Sequence, residues 1–179
     1  MSGGLQAFPG QDYSLARQSH PVGILTLMTS EQSQAVTIDG ESDSELRQRL
    51  ERELSAFNDE HTGHAERGSF SLRATDAEGE LIGGLTAWTW GGLCGISLLW
   101  VREDSRKDGW GTTLLQAAEA EAVRRGCDRI WVSSFTFQAP GFYQRYGYAE
   151  AGRTPGLPGG HADVQMYKTL AGPASADPR

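Results

Sequence analysis

Cysteine is scarce in this 179-residue chain. The two present, Cys94 and Cys127, make neither a disulfide framework nor a metal-ligand spacing. Long apolar runs are also missing, so no segment approaches the length that crosses a bilayer. The run Val22 to Met28 is short, only Arg17 supplies basic charge ahead of it, and no small-residue cleavage site follows, so no secretory signal is read. Positive charge is in the minority: 16 Lys and Arg against 23 Asp and Glu leave a net charge of −7. That balance argues against general nucleic-acid binding and suits cationic partners. His61 and His64 have Gly63 between them and no third ligand in view, so they read as exposed loop histidines and no metal is expected. What remains is a soluble, cytoplasmic, single-domain protein with enough chain for a sizeable core.

The chain falls into three stretches. Residues 1 to 33 are rich in Gly, Ser and Gln and show no sustained period, which predicts a loosely ordered extension. Met28, just ahead of the first periodic element, is a candidate alternative start. Residues 34 to 171 carry the periodic elements, and 172 to 179 form a flexible tail rich in Pro and Ala. A short strand is predicted over Ala35 to Ile38. Ser42 and Glu45 have capping-box spacing, and Leu46, Leu50, Leu54 and Phe57 then share one helix face, which predicts a helix ending near Asn58. Ser69–Thr75, Glu80–Trp90 and Leu93–Val101 read as a meander of antiparallel strands, turned at Asp76–Gly79 and at Gly91–Gly92. Trp110 to Arg125 is helical, with Leu114, Leu115, Ala118 and Ala122 as its buried stripe and Gly126 as its stop. Ile130–Phe135 is the next strand, parallel to Leu93–Val101 through the crossover helix. Pro140 to Tyr146 forms a short helix, and Tyr148–Ala151 and Val164–Leu170 are the last strands.

One stretch organises the rest. From Ile96 to Gln116 an apolar strand runs into a charged loop and continues as an amphipathic helix. A strand that delivers a glycine loop to a helix start makes an anion cradle, because the first backbone N–H groups are unpaired and the macrodipole is positive there. The loop lacks the Gly-Lys-Ser/Thr ending of a nucleotide P-loop, and Leu114 stands where a dinucleotide fingerprint would have its third glycine. What it does carry is Arg106-x-x-Gly109-x-Gly111.

That motif resembles the pyrophosphate loop of the GNAT superfamily of N-acetyltransferases, which binds coenzyme A. A second segment, Thr136 to Tyr148 (TFQAPGFYQRYGY), resembles the Ala-x-x-Phe-Tyr-x-x-x-Gly-Phe/Tyr segment of the same superfamily. The resemblance spans about Ala35 to Leu170. It implies an α/β (α+β) GNAT fold, in which helices flank a mixed central sheet of six to seven strands whose parallel strands splay at the acetyl-CoA site. It further implies an acetyl-CoA-dependent N-acetyltransferase. The acceptor is a primary amine on a small molecule or peptide, and no metal, nucleic acid or membrane takes part. The alternative is a non-catalytic acyl-CoA-binding or sensing module. Members of the superfamily often pair, which leaves a homodimer open.

The resemblance also implies which residues act. Leu99, Trp100 and Val101 would offer main-chain groups to the pantetheine arm and the thioester carbonyl. Arg106, Lys107, Asp108, Gly109, Trp110, Gly111 and Thr112 would hold the pyrophosphate. Thr136, Gln138, Phe142 and Tyr143 complete the expected cofactor contacts. Lys107 stands where the family often has glycine, and Asp108 where it usually has a neutral or basic residue. Tyr143 is the candidate general acid for the leaving thiolate. The base stays open: Glu103 and His161 are candidates, with Asp104 beside Glu103 and Ser97 at the strand position where relatives often place an acid.

Overall fold

The computed structural model describes residues 27–28, 35–36, 42–63 and 66–171. The expectations for most of residues 1–33, for Thr37 and Ile38, for His64 and for the tail 172–179 lie outside the described residues. The chain divides into two compact units, Met1–Ala65 and Glu66–Arg179.

In the first unit, β1 (Leu27–Met28) pairs antiparallel with β2 (Ala35–Val36), so part of the stretch predicted as loose is a strand. Helix α1 (Ser44–Thr62) follows. Its cap is Asp43, not Ser42: Asp43 Oδ1 accepts from the N–H groups of Glu45 and Leu46 at 2.9 and 3.1 Å. The helix also runs past Asn58, because its polar last turn supports itself. Phe57 stacks on His61 at 3.9 Å, Thr62 Oγ1 donates to Asn58 O at 2.7 Å, and Gly63 at φ +66 ends it. His61 is therefore a helical residue, not a loop histidine.

The second unit is a six-stranded sheet in the order β3-β4-β5-β6-β8-β7. Strands β3 (Arg67–Thr75), β4 (Leu81–Trp90) and β5 (Leu93–Val101) form the predicted antiparallel meander. Asp76 closes the first turn, accepting the Glu80 N–H on Oδ1 at 2.8 Å. Helix α2 (Trp110–Arg124) crosses over to β6 (Arg129–Phe135), which runs parallel to β5 as expected. Helix α3 (Pro140–Arg145) and strands β7 (Ala149–Leu157) and β8 (His161–Thr169) complete the unit. Strand β8 inserts between β6 and β7, antiparallel to both. Strand β7 is longer than predicted and takes in Pro155, which an edge strand tolerates because one row of its N–H groups needs no partner.

The core lies between the sheet and α2. Leu114, Leu115, Ala118 and Ala122 are all buried, as their spacing predicted, against Leu85, Ala87, Ile96, Ile130, Val132, Val164 and Met166. Alternation along each strand assigns the faces: in β8, Ala162, Val164 and Met166 are buried while His161, Asp163, Gln165 and Tyr167 lie on the other side.

Candidate functional site

Strands β5 and β6 pair only from Leu93↔Arg129 to Ile96↔Val132, and then part. The cause lies on the opposite edge of β5. Its register with β4 steps from Ile96↔Ala87 to Leu98↔Thr86, which leaves Ser97 as the extra residue of a bulge. A bulge bends its strand and breaks the ladder locally. Beyond it, the β6-facing edge of β5 has no strand neighbour, so its main-chain groups face open space.

That space is a cleft of about 830 Å³. Its walls are Ser97 to Val101 of β5, Val132 to Ser134 of β6, the loop and first turn of α2, and α3. The loop starts with a short 3-10 turn, Glu103–Ser105. Arg102 ion-pairs with Asp104 at 2.7 Å and with Asp76 at 3.3 Å, and the hydrogen bonds from Arg102 and then from the Ser105 hydroxyl hold the Asp104 carboxyl below its ordinary value. The Arg106 guanidinium donates through Nε to Val101 O at 3.2 Å. Lys107 then takes φ +83, a backbone angle that favours glycine, at the position where the resemblance expected one. Gly109 (φ +87) caps α2 with no side-chain hydrogen bond to the helix N–H groups. The first N–H groups of α2 are thus left for a ligand beside the cleft.

Helix α3 closes the other side. The Phe142 ring lies where a Cβ on Gly111 would touch it at 3.6 Å, so α3 packs closely on the first turn of α2. The Tyr146 hydroxyl and Thr112 Oγ1 are 2.6 Å apart and tie the two helices together. Tyr143 is buried yet lines the cleft, and burial pushes its phenol up to about 12. It stays protonated at neutral pH, as a proton donor must.

Of the residues predicted from the sequence, Leu99, Trp100, Val101, Arg106, Lys107, Gly109, Gly111, Thr112, Gln138, Phe142 and Tyr143 line this one cleft. Asp108, Trp110 and Thr136 do not. Trp110 packs against the core, and Thr136 Oγ1 is held between His161 Nδ1 at 3.0 Å and the Ala162 N–H at 3.1 Å. Neither Glu103 nor His161 lines the cleft; Ser97 does. Tyr148 is a core residue and Tyr146 a wall residue. Of the tryptophans, Trp100 forms cleft wall, Trp88 covers Gly95, and Trp90 takes the Arg67 guanidinium over its ring at 4.7 Å.

One wall residue and the carboxylate behind it escaped the sequence. Ser133, half-buried on β6, faces the cleft and donates its hydroxyl to Asp163 Oδ1 on β8. Asp163 Oδ2 accepts from Gln165 Nε2 at 3.0 Å. No local pattern marks this pair, because it exists only through the β6–β8 register.

Among the described residues no helix is long and apolar enough to cross a membrane, and no three His, Cys, Asp or Glu side chains gather as a metal site.

The chain matches the family described as "Acetyltransferase (GNAT) family" over residues 28–148. Blasticidin-S acetyltransferase of Streptomyces morookaense is 39% identical over 105 residues, 56% of this chain and 75% of that one. Among solved structures, an acetyltransferase from Bacillus cereus ATCC 14579 is similar with a TM-score of 0.67 at 30% identity, covering 74% of this chain and 97% of that one. An aminoglycoside 6'-N-acetyltransferase complexed with coenzyme A is similar with a TM-score of 0.52 at 25% identity, over 70% of this chain and 86% of that one.

Proposed function

The chain belongs to the GNAT family of acetyl-CoA-dependent acetyltransferases, and on that premise we propose that it passes acetyl directly to a primary amine of a small cationic acceptor in a ternary complex. The observation that carries this reading is the parting of β5 and β6 beyond Ile96 and Val132, beside the uncapped N-terminus of α2. It supplies an open strand edge and an anion site in one cleft.

The residues fit the cosubstrate. The Trp110, Gly111 and Thr112 N–H groups, with the helix dipole behind them, would hold the pyrophosphate. The loop's side chains add little net charge, since Arg102 is engaged by Asp76 and Asp104, so backbone donors carry most of this binding. The free edge of β5 would bind the pantetheine amides and the thioester carbonyl, whose oxygen gains negative charge as an amine attacks.

Tyr143 would serve the leaving sulfur. A free thiol titrates near 8.5, so moving a proton from a phenol at about 12 to a thiolate is uphill by roughly 5 kcal/mol before the cleft acts on the thiol. Its first contribution is therefore a hydrogen bond donated as the carbon–sulfur bond lengthens. Complete transfer follows as the same dry surroundings raise the thiol's own affinity for the proton. Direct transfer is favoured over an acetyl-cysteine route because neither cysteine lines the cleft, and burial pushes the Cys94 thiol up to about 12.

Support for a cationic acceptor comes from the net charge of −7. Exposed Leu98, Trp100 and Phe137 at the cleft supply apolar wall for a ring-bearing molecule. Two relatives carry antibiotics in their names, which makes blasticidin S and an aminoglycoside the first acceptors to try. The test is thiol release from acetyl-CoA with those two compounds, polyamines and Lys-bearing peptides. Wild-type protein should release thiol with one class, and Tyr143→Phe should lower kcat by about 10- to 100-fold with acetyl-CoA binding unchanged. Acetyl-CoA binding without release from any acceptor would sink the reading.

A further inference from the structure

The cleft has a proton donor in Tyr143 but, from the sequence alone, no proton acceptor. The acceptor amine arrives as an ammonium and must lose a proton before it can attack. Glu103 lies exposed in the 3-10 turn, and His161 has its Nδ1 engaged by Thr136. Neither lines the cleft. Ser133 does line it, and Asp163 stands behind Ser133 as the acceptor of its hydroxyl hydrogen. Ser133 stands on β6 just past the last residue that pairs with β5, so its side chain sits where the strands part. Its hydroxyl hydrogen is committed to Asp163 Oδ1, which leaves the oxygen's lone pairs free to accept. Among the described residues Asp163 is tied to no cation: its oxygens accept from Ser133 and Gln165, its strand partners are Phe135 and Thr154, and His161 lies two residues away on its own strand.

We propose that Ser133 and Asp163 form the proton exit of the acceptor site. The inference rests on the amine-transfer reading above. The ammonium gives its proton to Ser133 Oγ while the Ser133 hydroxyl proton passes to Asp163 Oδ1. The freed amine nitrogen then bonds to the acetyl carbonyl carbon, the carbon–sulfur bond breaks, and the thiolate takes the Tyr143 proton. As the amide forms, its nitrogen loses a second proton, which through solvent restores the Tyr143 phenol; the amide keeps one N–H, and Asp163 releases the first proton to solvent. Proton removal and proton delivery thus sit on opposite faces of the sheet, Tyr143 in the core shared with α2 and Asp163 on the alternate face of β8. Asp163 acts through Ser133, and is a positioning and proton-storing residue rather than one that touches the substrate.

The experiment compares the full-length wild type, Asp163→Asn and Ser133→Ala at saturating acetyl-CoA, with blasticidin S as the probe amine and spermidine and a Lys peptide beside it. Asp163→Asn should lower kcat by about 100-fold at pH 7, and Ser133→Ala by at least about 10-fold, in the range of general-base losses. The KM for acetyl-CoA should stay within about twofold, because the pair makes no contact with the α2 anion site. The deficit should shrink to below about 10-fold near pH 10, where a free amine needs no proton removed. A merely structural role would lower Tm and cost the same at both pH values, and that result overturns the proposal. So does a wild-type kcat in Asp163→Asn. No turnover by the wild type with any amine, acetyl-CoA binding intact, overturns the amine-transfer reading and the proton exit with it, so the two failures are told apart.

Discussion

Trp88 lies against Gly95 so closely that a Cβ on that glycine would stand 2.2 Å from Trp88 Cε2. The two are cross-strand partners in β4 and β5, and Gly95 also pairs with Trp131 of β6. The indole therefore fills the space above β5 immediately before the bulge that opens the cleft. Gly95→Ala should destabilise the protein by about 3 kcal/mol, the upper range for overpacking, since a tryptophan cannot shift as a flexible chain end would. Urea unfolding would measure it. Adding Trp88→Leu should recover part of the loss, because the two changes share one space. Equal losses in the single and double variants would show that the contact is not the cause.

Lys107 gives a prediction of the opposite sign. Its φ of +83 places Cβ in a conformation that glycine adopts freely. Lys107→Gly should stabilise the protein by about 1 kcal/mol, the relief of the left-handed strain less the extra freedom of the unfolded glycine. Lys107→Ala removes the same ammonium but keeps the Cβ, so it should gain nothing. If both variants shift Tm alike, the lysine's charge and not its backbone is responsible.

The parts of the site that could be read from the sequence are those made by neighbours in the chain. The run from β5 through Gly109 and Gly111 into α2 changes its apolar period at the loop, and the two hairpins carry their own turn residues. Arg106, Gly109, Gly111, Phe142 and Tyr143 accordingly meet in one cleft. What stayed hidden depends on residues far apart. Nothing local says that β8 slips between β6 and β7, so the contact of Ser133 with Asp163 was invisible. Ser97 drew notice as the strand position where relatives often place an acid, yet what the structure shows of it is a bulge position, set by the register with Thr86 and Ala87. The end of α1 was misjudged for a different reason. Polar composition suggested a loop after Asn58, whereas the Phe57–His61 stack and the Thr62 hydroxyl keep the helix going to Gly63. The contact of Tyr146 with Thr112 was hidden for the same reason as that of Ser133, since it joins two separate helices.

Burial of ionisable groups in the core also sets how the fold responds to alkali. Burial raises the Cys94 thiol from 9.0 to about 12, with Cys127 adding to the shift, and raises the Tyr143 phenol from 10.0 to about 12. Tyr148 is pushed up as well, mainly by burial. Each is a folded-state value above the unfolded one, so the folded chain holds protons that the unfolded chain has already released. Stability should therefore be intact below pH 9 and decline as pH rises from 9 to 12, by a few kcal/mol in all. The acid side differs in sign: Arg124 and Arg125 hold Glu121 down to about 2, so its contribution is complete above about 4.5 and fades as pH falls towards 2. Urea midpoints measured from pH 8 to 11 check the alkaline limb. Tyr143→Phe should flatten it above pH 10 without moving the part between 9 and 10, which belongs to Cys94 and Cys127. A limb that Tyr143→Phe leaves unchanged would mean that the phenol ionises as easily folded as unfolded, and that it is less buried beside the cleft than its place in the core implies.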